Sequence, residues 1–170
     1  DFLVNQKNKT YTTIICGVLN NNNLTQQKTI YKAPDSLYAL EKHHYGTRII
    51  FSNDGYLFFA IGDRGRREKA QLLNYPNGKI HRLHDDGSVP QDNPFVNNEM
   101  ALPSIWSYGH RNPQGLVIHP QTGEIWESEH GPMGGDELNM IFPGNNYGWP
   151  VITYGKNYNG TIISHLTHKD

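Results

Sequence analysis

"IIFSNDGYLFFAIG" (residues 49–62) decides the architecture. An apolar run, a polar turn ending in glycine and an aromatic-rich run together specify a tight antiparallel hairpin. The same form returns at "LVIHPQTGEIWESE" (116–129). Working outward, short β-branched or aromatic runs occupy 10–19, 27–33, 47–52, 56–62, 78–84, 115–120 and 124–129. Turn signals separate them at "NNNN" (20–23), "NDG" (53–55), "DDG" (85–87) and "PQTG" (120–123). Only 68–73 and 33–42 read as helical, and neither is long enough for a crossover helix, which argues against a parallel α/β sheet. The expectation is an all-β fold. The repeated hairpin is that of a β-propeller blade, and a blade takes about 40–50 residues. The 170 residues therefore form one partial propeller domain of roughly three to four blades. The stretches 85–104 and 130–161 read as long ordered loops, the second rich in aromatic residues.

Composition narrows the function classes. A net charge of −1 offers no excess of Lys and Arg for capturing nucleic acid. No apolar run approaches the roughly 18 residues of a membrane-spanning helix. The opening "DFLVNQKNKT" lacks the basic flank and apolar core of a signal peptide. The single cysteine, Cys16, excludes an internal disulfide and any zinc site built on Cys pairs, and is read as a packed strand residue.

Three clusters carry chemistry, all at strand ends or in loops. His43 and His44 precede one strand of the first hairpin, and Asp63 follows the other. The hairpin can bring His44 and Asp63 to the same sheet end, where a carboxylate would orient an imidazole as general base. The residues alone equally allow a solvated histidine. "GHRNPQG" (109–115) joins a guanidinium suited to carboxylates with a proline-fixed turn, or else makes a structural Arg–acid pair. "SEHGPMGGDELN" (128–139) sets acids among glycines, which suits either a calcium loop or a solvated acidic turn.

Taken in order, "HYGTR", "FFAIGDRG", "GKIHRLHDDGSVPQDNPF", "IWSYGHRNPQG", "EHGPMGGDELN" and "PGNNYGWP" resemble successive motifs of the soluble sugar dehydrogenases that use pyrroloquinoline quinone (PQQ). This is the glucose/sorbosone dehydrogenase family, and the similarity is greatest to its aldose sugar dehydrogenase branch, over residues 43–158. The resemblance implies a six-bladed β-propeller, of which this chain covers part, with PQQ over the axial end. It implies PQQ- and calcium-dependent oxidation of an aldose at C1 to the lactone. His44 corresponds to the base and Asp63 to the acid that orients it. Arg111, Asn112 and Tyr158 correspond to residues at the quinone. Gly131 and Pro132 correspond to carbonyl ligands of the cofactor's Ca²⁺, and Glu137 and Tyr147 to a second calcium site. On this reading His130 is a poorer candidate base than His44. The resemblance further implies an external electron acceptor and a periplasmic or secreted setting. Missing propeller segments, or further copies of the chain, would complete the ring. The competing class is a non-catalytic calcium-binding propeller that binds a protein or carbohydrate, in which the base and quinone contacts would be eroded.

Overall fold

The computed structural model describes residues 2–3, 9–37, 40–46 and 48–166, with side chains from residue 9 onward. Among these residues ten strands form three antiparallel sheets, each a meander in chain order. The first holds β1 (Phe2–Leu3), β2 (Thr12–Asn20) and β3 (Asn23–Lys32). The second holds β4 (Ile49–Phe51), β5 (Tyr56–Ile61), β6 (Lys79–His84) and β7 (Ile105–Tyr108). The third holds β8 (Pro113–Ile118), β9 (Ile125–Glu129) and β10 (Glu137–Ile141). Successive meanders packed face to face are propeller blades, and the chain is an all-β part of a propeller. Among the described residues the expected helices are only 3-10 turns, Asp35–Leu37 and Arg67–Gln71. No described helix is long and apolar enough to cross a membrane.

Strand β5 holds the blades together because both of its faces are buried. Side chains alternate across a strand, so Leu57, Phe59 and Ile61 pack with Ile14, Ile30 and Leu83 on one side. Phe58 and Ala60 pack with Ile80, Leu116, Ile125 and Ile141 on the other. Each of the large side chains contributes about 1.5–3 kcal/mol by leaving water. With its core fixed on two faces, β5 delivers its C-terminal end, Gly62 and Asp63, to one defined place.

Three expectations need correction. Cys16 is exposed, because the β2–β3 hairpin runs beyond the part of its sheet that the next blade covers and residues 16–29 all face solvent. The loop 130–161 contains a strand, β10, and a further strand, β7, lies at 105–108. The strand expected at 47–52 begins on a residue outside the described set and is observed as Ile49–Phe51.

Candidate active site

The loop 41–46 lies against the end of β5, and Gly62 permits it: a Cβ there would run into the His44 carbonyl. Arg64 pins the loop from the buried side. Its Nε donates to the His43 carbonyl (2.9 Å), and its Nη2 donates to Thr10 Oγ1 (2.6 Å) and to the Glu41 carbonyl. Its guanidinium also lies 3.8 Å from the Tyr45 ring centre. His44 and Arg64 both sit at positive φ (53° and 57°), a conformation that non-glycine residues adopt at a cost and that the surrounding contacts hold.

His44 Nδ1 consequently lies 2.7 Å from Asp63 Oδ1. Asp63 is 1% exposed and accepts two more bonds, from the Gly65 backbone N–H (2.7 Å, Oδ1) and the Trp149 indole N–H (2.8 Å, Oδ2). An acid acting as acceptor at Nδ1 leaves the proton on that nitrogen and the lone pair on Nε2. A partly exposed imidazole with a fixed tautomer is equipped to accept a proton.

The dyad lines a cleft of about 360 Å³. Arg111, Pro132 and Tyr158 line it too, so five residues singled out in the sequence converge there; His43, Arg67, Trp149 and Asn157 complete most of the wall. Arg111 is nearly buried, and its Nη1 donates to the carbonyls of His130 (2.8 Å) and Gly131 (2.7 Å). Its backbone N–H and that of Asn112 both donate to Glu129 Oε2, so a buried acid fixes the turn that carries the guanidinium. Asn112 does not line the cleft; its Oδ1 accepts the Gly46 N–H (3.3 Å) and a Gln114 amide N–H (3.0 Å). It steadies the His44 loop instead. His130 faces outward near Asp136, away from the cleft.

The donor set suits a planar polyanion. Arg67 and Arg111 offer guanidinium groups for carboxylates, and Trp149 and Tyr158 offer ring faces. Of the two residues expected to offer carbonyls to a cation, Pro132 lines the cleft and Gly131 sits beside it against Arg111. The Gly131 oxygen, already accepting from Arg111, keeps a second lone pair for a cation.

Behind this wall lies an acidic face. Strand register places Glu129 opposite Glu137 and Glu127 opposite Asn139. Asn139 Nδ2 bridges Glu127 Oε2 (3.2 Å) and Glu137 Oε2 (3.1 Å). His110 sits against Glu129 Oε1 (3.2 Å) and Ser107 Oγ (2.9 Å), with the Tyr147 ring stacked on it at 4.7 Å. The Tyr147 hydroxyl donates to the Met140 carbonyl and accepts the Phe142 N–H. Ligand atoms of His110, Glu127 and Glu129 fall within 4.8 Å of one another. Glu127 is 1% exposed, and its Oε1 has no hydrogen-bond partner. Burial, and then the charge of Glu129, push its pKa up to about 10. An orphaned oxygen among buried acids fits a hard cation beside Glu137. Glu129 belongs to the acidic stretch that the sequence marks as a calcium loop or solvated turn, whereas Glu127 and His110 have no such assignment; the alternating acids of "WESE" are the available signal.

Comparisons with known proteins converge on one family. The family profile described as Glucose / Sorbosone dehydrogenase matches residues 2–170. The aldose sugar dehydrogenase YliI of Escherichia coli K12 is 44% identical over 140 residues, covering 82% of this chain and 37% of that protein. Quinoprotein glucose dehydrogenase B of Acinetobacter calcoaceticus is 37% identical over 154 residues, covering 78% of this chain and 31% of that protein. The PQQ-bound aldose sugar dehydrogenase of Streptomyces coelicolor superposes with a TM-score of 0.68 at 28% identity, covering 96% of this chain and 46% of that one. The chain thus spans less than half the length of each of these relatives.

Proposed function

The chain belongs to the glucose/sorbosone dehydrogenase family, and from that premise we propose that the full-length protein oxidises an aldose at C1 to its lactone, using PQQ and Ca²⁺. The observation that carries this is the His44–Asp63 pair, 2.7 Å apart, on the wall of a cleft shared with Arg111 and Pro132. Arg111 and Tyr158, with Arg67, would hold the quinone, and the Gly131 and Pro132 carbonyls would hold its calcium. When bound, the quinone would supply a two-electron acceptor for the C1 hydride and the calcium a Lewis acid beside it.

The chain's own residues handle the proton. His44 Nε2 takes it from the C1 hydroxyl, and Asp63, receiving the Nδ1–H, stabilises the imidazolium that forms. Arg111 brings positive charge to the side where negative charge accumulates. Glu137 and Tyr147, with Glu127 and Glu129 beside them, would hold a second, structural cation. An external electron acceptor is needed to reoxidise the quinone. The periplasmic or secreted setting rests on resemblance alone, and cell fractionation tests it.

A calcium-binding propeller without catalysis has no use for a buried acid with three donors aligned on an imidazole. The test is sugar-dependent dye reduction by the full-length protein loaded with PQQ and Ca²⁺. Activity is expected, and His44→Ala should lower kcat by about 10²- to 10⁴-fold. Failure of every aldose to reduce the dye at saturating PQQ and calcium overturns the proposal.

A further inference from the structure

We propose that Trp149 is a positioning residue for the His44–Asp63 pair, an inference that rests on the reading of His44 as the base. Asp63 and Trp149 are 86 residues apart in sequence, yet the indole N–H donates to Asp63 Oδ2 at 2.8 Å. Oδ1 already serves His44 and the Gly65 N–H, so the indole occupies the other oxygen and fixes the carboxylate plane. An indole N–H is a donor that does not titrate. It orients the acid without adding a proton to the relay.

The indole is itself held firmly. Trp149 is 7% exposed, its backbone N–H donates to the Gly109 carbonyl (2.9 Å), and its carbonyl accepts a Gln71 amide N–H (2.7 Å). Gln71 and Asn146 bond each other reciprocally, at 3.0 and 2.7 Å, which locks the loop before Trp149 onto the 3-10 turn. The same ring lies 5.5 Å from the Arg111 guanidinium and lines the cleft. One side chain therefore touches both the acid that orients the base and the Arg111 guanidinium. Loss of the N–H leaves Asp63 Oδ2 buried without a donor. The carboxylate then turns to recover one, and the Nδ1 bond loosens.

The test uses the full-length protein and two readouts. In nitrogen-15 NMR without cofactor, wild type should show His44 protonated at Nδ1 in a strong hydrogen bond, its proton far downfield. Trp149→Phe, which keeps a ring but removes the donor, should move that proton upfield or broaden it by exchange. In the loaded enzyme the same variant should lower kcat by about 10- to 100-fold, with sugar KM changed less than about twofold, since substrate binding is not what the N–H supports. If Trp149→Phe does not fold, Gln71→Ala carries the test: it keeps the indole, frees its loop and should displace the Nδ1 proton in the same direction by less. An unchanged Nδ1 proton in a folded variant overturns the positioning role and leaves sugar oxidation standing. An inactive wild type with a displaced Nδ1 proton overturns the sugar reading and leaves the positioning role intact.

Discussion

The β4–β5 and β8–β9 hairpins share one plan and bury opposite chemistry. Strand β5 buries Leu57, Phe58, Phe59, Ala60 and Ile61, and its acid, Asp63, comes just after the strand. Strand β9 turns Ile125, Glu127 and Glu129 to the buried side and so draws two acids into the interior. Asp63 meets three donors. Glu127 meets one, from Asn139, and keeps an oxygen with no partner. A buried carboxylate with enough donors is a fixed acceptor ready for work. One without them takes up a proton or a cation.

The largest effect should come from removing the acceptor at the end of the first hairpin. Asp63→Asn keeps the shape but exchanges one carboxylate oxygen for an amide donor, so either the Trp149 N–H or the His44 Nδ1–H and Gly65 N–H together lose their acceptor, and the negative charge is gone. The imidazolium loses its counter-charge and one of the bonds that hold the pair, and kcat for sugar-dependent dye reduction by the full-length enzyme should fall about 10²- to 10⁴-fold. Wild-type kcat in this variant would end the distinction between the two acids.

Next in size is the orphaned acid of the second hairpin. In calcium-free protein Glu127, at about pKa 10 folded and near 4.5 unfolded, binds more proton in the folded state between those values. Its contribution to stability is therefore complete below pH 4.5 and lost as pH rises towards 10. Glu127→Gln should flatten that slope and stabilise the calcium-free protein at pH 7 by about 1–3 kcal/mol. With calcium the sign should reverse: the ion displaces the proton in wild type, and saturation at about 100 times Kd adds about 2.7 kcal/mol. The glutamine variant should gain less from calcium. Chemical denaturation with calcium and with chelator, from pH 5 to 8, measures both. A variant with the wild-type slope and calcium response would show that Glu127 is as well satisfied as Asp63.

The two hairpins also mark what the sequence could reveal. His44 and Asp63 flank a single hairpin, so alternation and turn position were enough to place them at one sheet end. Trp149 reaches Asp63 from the loop after β10, and no local period encodes such a meeting. Strand β10 was read as loop because Glu137 and Asn139 are poor strand formers that pay their way by pairing with the acids of β9. Asn112 lies in the motif assigned to the cofactor, but its side chain turns to the Gly46 N–H. A motif fixes which residue is present, whereas its direction depends on the neighbouring loop. Cys16 fails for a related reason: alternation shows a strand face, not how far the next sheet extends to cover it.

The smallest effect tests whether the hairpins are one device at all. The first turns through Ser52 to Tyr56, closed by the Gly55 N–H on the Ser52 carbonyl (3.0 Å). The second is one residue longer, closed by the Gly123 N–H on the His119 carbonyl (2.9 Å). Each places its glycine at positive φ, 86° and 76°, with nothing within 4 Å of an added Cβ. Alanine at either position meets no clash and carries only the left-handed backbone cost, about 1–2 kcal/mol. Gly55→Ala and Gly123→Ala should therefore lower stability equally in chemical denaturation while sugar KM stays unchanged. A difference above about 0.5 kcal/mol exceeds ordinary surface scatter and would mean that the extra residue gives the second turn strain of its own. The acids would then differ because their hairpins differ, and not only because of where each acid falls along its strand.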